Sequence, residues 1–179
     1  DSEDDRKWLP SFVFPRDPAV TRLVELAQRH VCVLRDDPLS GFYGYQSIDP
    51  KDPESVAEVD FQVQAIWSAI VHELKLTYIN PPPGYSIALD SQRLRTPTMV
   101  TQHHSGTCID LALFFAACLE LVDIYPVIFL LEGHAFPGYW RSDQEHKRFL
   151  EARPSQIQSI VQADSTTSAI SGAQSEGWY

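Results

Sequence analysis

The sequence predicts an α+β fold, and three patterns carry that prediction. Apolar residues recur at helical spacing over 18–34 and over 53–76, and each run follows an Asp-Pro pair of the kind that starts helices. A continuous apolar run over 127–131 is typical of a buried strand, and 135–140 continues it as extended chain or as a bent second half. We therefore expect two amphipathic helices packed around a small sheet.

A third helix is predicted over 107–121, where an apolar stretch follows the pair Thr107 and Asp110. Their spacing is that of a capping box, with Asp110 as the acceptor for a free backbone N–H at the helix start. The remaining segments are predicted as loop (35–50), extended turn (80–84), link (85–104) and polar turn (141–146), and 147–152 as either a strand or a helix.

Length and composition indicate a single globular domain over residues 1–179. The chain is 44% hydrophobic and 21% charged, and no apolar run approaches the roughly 20 residues that cross a bilayer. We expect an irregular lead over 1–16, whose aromatic residues (Trp8, Phe12 and Phe14) pack onto the body, and a polar tail over 163–179. The acidic start DSEDD, without an initiator Met, predicts a piece of a longer, multidomain protein.

Charge and cysteine content indicate which binding partners and which cellular compartment to expect. A formal net charge of −10 without a basic stripe argues against nucleic-acid binding. Cys32 and Cys118 lie in apolar helical patterns, so we expect core thiols rather than a disulfide. Free thiols favour a reducing, cytoplasmic compartment, although an effector injected into another cell would have the same pattern.

Cys108 and His134 have the surroundings that a thiol catalyst needs. Cys108 opens the third predicted helix, and His134 follows the apolar strand run. A helix N-terminus and a nearby imidazole both favour the thiolate, and the backbone N–H of Cys108 is a natural half of an oxyanion hole. Each residue alone also has a structural explanation, as a buried cysteine at an ordinary helix start or a histidine bonded to a backbone carbonyl.

The motifs around these two residues resemble the core of bacterial transglutaminase-like cysteine enzymes. Segment 105–112 has the sequence SGTCIDLA, and an apolar helix, a strand and GHAF at 133–136 follow it. Upstream, YINPP at 78–82 and QRLRTP at 92–97 are similar to the lead-in of such domains in large multidomain proteins. The resemblance implies a papain-like core, in which a central helix starting at Cys108 packs on a small antiparallel sheet carrying His134.

The same resemblance implies roles for further residues. His134 would act as base and acid toward Cys108. Gln102 stands at the offset where papain-like enzymes often carry an oxyanion donor, and a solvated loop glutamine is its alternative. Glu151 is our choice for the acid that orients the imidazole, with Asp143, Asp164 and a residue beyond the chain end left open.

The expected function is acyl transfer at an amide or thioester carbonyl without a cofactor, as a cysteine peptidase or amidase acting on a protein or peptide. A transglutaminase or deamidase would use the same residues, and a catalytically silent partner-binding module is the remaining alternative. His103 and His104 beside Cys108 suggest zinc, but no second ligand pair follows, so we expect no metal. The aromatic residues Phe136, Tyr139 and Trp140 suit either a cleft wall or core packing.

Overall fold

The computed structural model of the chain describes residues 5–80, 94–131 and 133–152, with side chains from Trp8 onward. The chain divides into two compact units, Asp1–Asp143 and Gln144–Tyr179. Helices and two small sheets make up the first unit, so the fold is α+β as predicted. None of the helices in the described ranges combines the length and the apolar character that a membrane crossing demands.

The described residues form five α-helices and four short strands. The helices are α1 (Pro18–Arg35), α2 (Pro53–Ala69), α3 (Pro97–His103), α4 (Cys108–Leu121) and α5 (Asp143–Glu151). A 3₁₀ helix (Asp5–Phe12) precedes α1, and a π-helical turn (Ile70–Leu74) continues α2. The strands are β1 (Thr77–Tyr78), β2 (Ser105–Gly106), β3 (Pro126–Leu131) and β4 (His134–Tyr139). β1 pairs with β2 in parallel, and β3 with β4 in an antiparallel hairpin that sets Leu131 opposite His134.

The first two helices begin where the Asp-Pro pairs predict. The side chain of Asp17 accepts a hydrogen bond from the backbone N–H of Ala19 at 2.8 Å, and Asp52 accepts one from that of Glu54 at 3.1 Å. Each helix then buries an apolar stripe. The buried stripe residues are Val20, Leu23, Ala27 and Val31 on α1, and Val59, Val63 and Ile66 on α2.

α4 is the central helix of the first unit. Every residue from Ala112 to Leu119 is buried, which is the pattern of a helix surrounded on all sides. It contacts α1, α2, α3 and both strands of the β3–β4 hairpin. The predicted helix over 107–121 is therefore confirmed, and the start of α4 is held at the edge of a packed core. The segment predicted to continue the strand run instead returns as β4, antiparallel to β3.

A buried glutamine fixes the loop between α1 and α2. The amide oxygen of Gln62, on α2, accepts hydrogen bonds from the backbone N–H groups of Tyr43 and Gly44, each at 2.9 Å. Its amide nitrogen donates to the carbonyl oxygen of Gly44, also at 2.9 Å. Gly44 has φ +56°, and a Cβ there would lie 2.9 Å from the carbonyl oxygens of Val122 and Asp123. The loop therefore needs both the glutamine and the glycine.

Several local predictions were wrong or fall outside the described residues. α3 lies within the predicted link 85–104, and its start at Thr96 repeats the cap-then-proline signal that was recognised at the other helices. The strand alternative for 147–152 is wrong, because α5 covers Asp143–Glu151 and includes part of the predicted turn. Residues 81–84 of the predicted extended turn and the tail 163–179 lie outside the described residues.

The packing predictions for the lead and the thiols are corrected in part. Trp8, Phe12 and Phe14 are 68%, 41% and 39% exposed, so their predicted packing is wrong; Leu9 and Val13 pack against the core instead. Cys118 is fully buried, as predicted. Cys32 is only partly buried, and its sulfur lies 3.4 Å from the carbonyl oxygen of Ser40. Both are free thiols.

Candidate active site

Cys108 is the first residue of α4, and a buried carboxylate fixes the start of that helix. Asp110 is 3% exposed and accepts hydrogen bonds from the backbone N–H of Thr107 at 3.0 Å and from the Thr107 hydroxyl at 3.0 Å. The predicted role of Asp110 as acceptor is therefore confirmed. Its second oxygen accepts the backbone N–H of Arg95 at 2.9 Å, which also ties the segment before α3 to the helix start.

The short strand β1 lies beside the residues that lead into Cys108. The backbone N–H of Thr77 donates to the carbonyl of His104 at 2.8 Å, and that of Ile79 donates to the carbonyl of Gly106 at 2.9 Å. Tyr78 stands between these two bonds, directly opposite Gly106. A Cβ on Gly106 would lie 3.1 Å from side-chain atoms of α4, so this close approach favours glycine.

Tyr78 lies beside Cys108 at the helix start, because β1 pairs with β2 there. The Tyr78 side chain is 47% exposed. Its pKa is raised, first by desolvation and then by the charge of Cys108 and a hydrogen bond with its thiol. Sequence reasoning missed this residue, since the only signal was its place in the motif YINPP. Cys108 itself is partly buried and free.

His134 begins β4, but its imidazole lies on the other face of the hairpin from α4. Ala135 is buried against Ile109 and Leu113 of α4, in the cluster that also includes Cys108. Because side chains alternate along a strand, His134 and Phe136 point to the opposite, open face. Their rings stack at 6.2 Å. Within the described chain no hydrogen bond joins His134 to Cys108, so the structure brings the start of β4 to α4 without pairing the two side chains.

The open face of the hairpin is apolar and exposed. Phe129 and Phe136 stack there with their ring centroids 5.0 Å apart, and Leu131 is 61% exposed. The opposite end of the hairpin is fixed to the core, because the hydroxyl of Tyr139 donates to Asp60 at 2.7 Å. Tyr139 therefore serves the core, and Phe136 belongs to the exposed surface.

The other predicted site residues lie away from this pair or in the second unit. Gln102 is exposed in the last turn of α3, and Glu151 is exposed as the last residue of α5. Asp143 is the first residue of α5, and Asp164 lies outside the described residues. Neither histidine beside Cys108 faces the thiol in a described contact; His104 places its ring nitrogen 3.1 Å from the carbonyl of Leu74. Within the described ranges no group of three or more His, Cys, Asp or Glu side chains is arranged to hold a metal ion.

Comparison with known proteins identifies no relative of this chain. No protein-family model, curated protein or solved structure matches the chain. The functional conclusion therefore rests on Cys108, its neighbours and the motifs around them.

Proposed function

We propose that this chain is a cysteine-dependent acyl-transfer enzyme with Cys108 as its nucleophile, built on a papain-like, transglutaminase-like core. The observation that carries the proposal is the setting of the thiol. Cys108 is partly buried at the first position of a 14-residue central helix, its helix start is fixed by Asp110, and the neighbouring strand β1 sets Tyr78 beside that start. The packing of α4 on the antiparallel hairpin supports the core arrangement.

The proposed reaction uses the chemistry that a thiol at a helix start favours. The positive end of the helix dipole stabilises negative charge on the sulfur, which attacks an amide or thioester carbonyl. The carbon–sulfur bond forms, the leaving amine or thiol takes a proton and departs, and a thioester remains on Cys108. Water then releases a carboxylate, whereas an amine would form a new amide. A peptidase or amidase acting on a protein or peptide is our preferred outcome.

The role of His134 requires a change at the start of β4. As base toward the thiol it must reach the α4 side of the hairpin, whereas its ring now stacks on Phe136. Gly133, immediately before it, has φ +74°, and among the described residues, its two chain neighbours apart, no atom lies within 4 Å of the position that a Cβ would take. The end of the strand therefore has room to change course. Gln102 and Glu151, both exposed, keep only the support of the resemblance.

The experiment that tests the proposal is alkylation of Cys108 by iodoacetamide across about pH 5 to 9. The background carries Cys32→Ser, because Cys32 is also partly exposed, whereas Cys118 is buried. We expect fast labelling of Cys108 that persists below pH 8, that slows in His134→Ala and that is absent in Cys108→Ala. Slow labelling that follows an ordinary thiol near pH 8.5 and ignores the His134 substitution would rule the enzyme out.

A second function, a catalytically silent peptide-binding module, is favoured by one specific observation. The open face of the β3–β4 hairpin exposes stacked aromatic rings, and the imidazole of His134 lies among them rather than at the thiol. Exposed apolar side chains beside a polar group often mark binding surfaces. Under this alternative Cys108 labels as an ordinary thiol, so the same experiment separates the two functions.

A further inference from the structure

We propose that the hydroxyl of Tyr78 is the side-chain donor to the oxyanion that forms when Cys108 attacks a carbonyl. This inference rests on the proposed function and assigns a role that the resemblance would give to Gln102. Tyr78 lies on β1, outside both the helix that carries Cys108 and the strand that carries His134.

The position of Tyr78 is fixed from both sides. The backbone bonds from Thr77 to His104 and from Ile79 to Gly106, at 2.8 and 2.9 Å, flank it and hold it in register with Gly106. Gly106 precedes Cys108 by two positions, so the parallel pairing brings the phenol to the first turn of α4. A donor held by backbone bonds needs little rearrangement when charge develops beside it.

The chemical state of Tyr78 suits a donor. Desolvation, with the charge and hydrogen bond of Cys108, raises the pKa of its phenol above the ordinary value of 10.0, so the hydroxyl keeps its proton at neutral pH. The side chain is about half exposed, which leaves room for a substrate carbonyl beside it. Gln102, in contrast, is exposed in the last turn of α3.

The geometry of attack places the oxyanion within reach of this hydroxyl. When the Cys108 sulfur bonds to the carbonyl carbon, the carbonyl π electrons move onto an oxygen one bond from that carbon. The β1–β2 pairing sets Tyr78 opposite Gly106, two residues before Cys108, so its hydroxyl is a near neighbour of that oxygen. The backbone N–H of Cys108, one of the helix-start N–H groups without an intrahelical acceptor, supplies the second donor. The phenol donates a hydrogen bond and keeps its proton, and collapse of the intermediate returns the electrons as the leaving group departs.

Two thiol reagents separate this role from a general effect on the thiol. Acylation by p-nitrophenyl acetate passes through an oxyanion, whereas alkylation by iodoacetamide is displacement at a saturated carbon and does not. Both rates would be measured at neutral pH in the Cys32→Ser background for the wild-type site, Tyr78→Phe and Gln102→Ala. Tyr43→Phe is the matched control, because it removes a hydroxyl that donates to Glu58 at 2.7 Å, away from the thiol contact.

We expect Tyr78→Phe to lower the acylation rate about 100-fold, the scale of losing one oxyanion donor, and to keep the alkylation rate within about twofold. Gln102→Ala and Tyr43→Phe should keep both rates. Unchanged acylation in Tyr78→Phe would overturn the inference while leaving the proposed function intact. A parallel fall of both rates would also overturn it, because Tyr78 would then act on the thiol itself. If the wild-type Cys108 reacts with both reagents no faster than a cysteine peptide, the inference and the proposed function both fail.

Discussion

Substitution of Asp110 by asparagine tests how the helix that carries Cys108 is anchored. The carboxylate accepts three hydrogen bonds, two from Thr107 and one from Arg95, and it is almost fully buried. Asparagine keeps the size but replaces one oxygen with an amide NH₂ that cannot accept. In the better of its two orientations the amide oxygen keeps both bonds to Thr107, and the NH₂ then faces the N–H of Arg95.

One charge-assisted bond is lost in that orientation, and two donors, the N–H of Arg95 and the new NH₂, are left without an acceptor. We therefore expect Asp110→Asn to cost about 2 kcal/mol in the free energy of unfolding. Urea unfolding followed by circular dichroism measures this. Asp123→Asn is the matched control, because Asp123 is exposed after α4, and it should change stability by less than about 0.5 kcal/mol. If Asp110→Asn unfolds at the same urea concentration as the control, the carboxylate does not hold the helix start and our account of the site is wrong.

Two further predictions concern the frame around the site. Gln62→Leu leaves three backbone groups of Tyr43 and Gly44 without a hydrogen-bond partner, so it should lower the free energy of unfolding by about 3 kcal/mol. The control is Gln64→Leu, at an exposed position on the same helix, which should be nearly neutral in urea unfolding. Equal effects of the two substitutions would refute the role of the buried amide. Burial raises the pKa of Tyr45 from 10.0 to about 12, so the folded state holds this proton more tightly than the unfolded state does. The resulting contribution to stability is complete below pH 10 and is lost as the pH rises toward 12. Tyr45→Phe should therefore flatten the fall of the urea unfolding midpoint with pH across this range. If the midpoint of Tyr45→Phe falls with pH as steeply as that of the wild type, the prediction is wrong.

The longer helices were predictable because the same kind of start residue, followed by apolar residues, occurs at each of them. Asp17, Asp52 and Thr107 each stand at a helix start; the first two precede a buried apolar stripe, and Thr107 precedes a continuous apolar run that is buried on all sides. α3 carries the same kind of start at Thr96, but it is only seven residues long and lies in a segment that lacks a long stripe. Short helices depend on their neighbours for stability, so their sequences carry a weaker pattern.

The site was less predictable because its contacts join distant parts of the chain. Tyr78 meets Cys108 through two strands of two residues each, and such short strands leave no periodic pattern in the sequence. The face that His134 occupies depends on the register of the hairpin, and a shift of one residue moves every side chain to the other face. The motif GHAF located the strand end, but the sequence around it did not determine which way the imidazole points.

The two cysteines of α4 differ in how easily a thiol reagent reaches them. Cys108 stands at the accessible end of the helix, whereas Cys118 lies fully buried near its other end, where burial raises the pKa of the thiol. A reagent reaches the partly exposed Cys108 in the folded protein, whereas it reaches Cys118 only when the core opens, because the intervening turns are buried. The modification rate of Cys118 therefore measures how often the core opens, and Cys108 in the same molecule serves as the reference that needs no such opening.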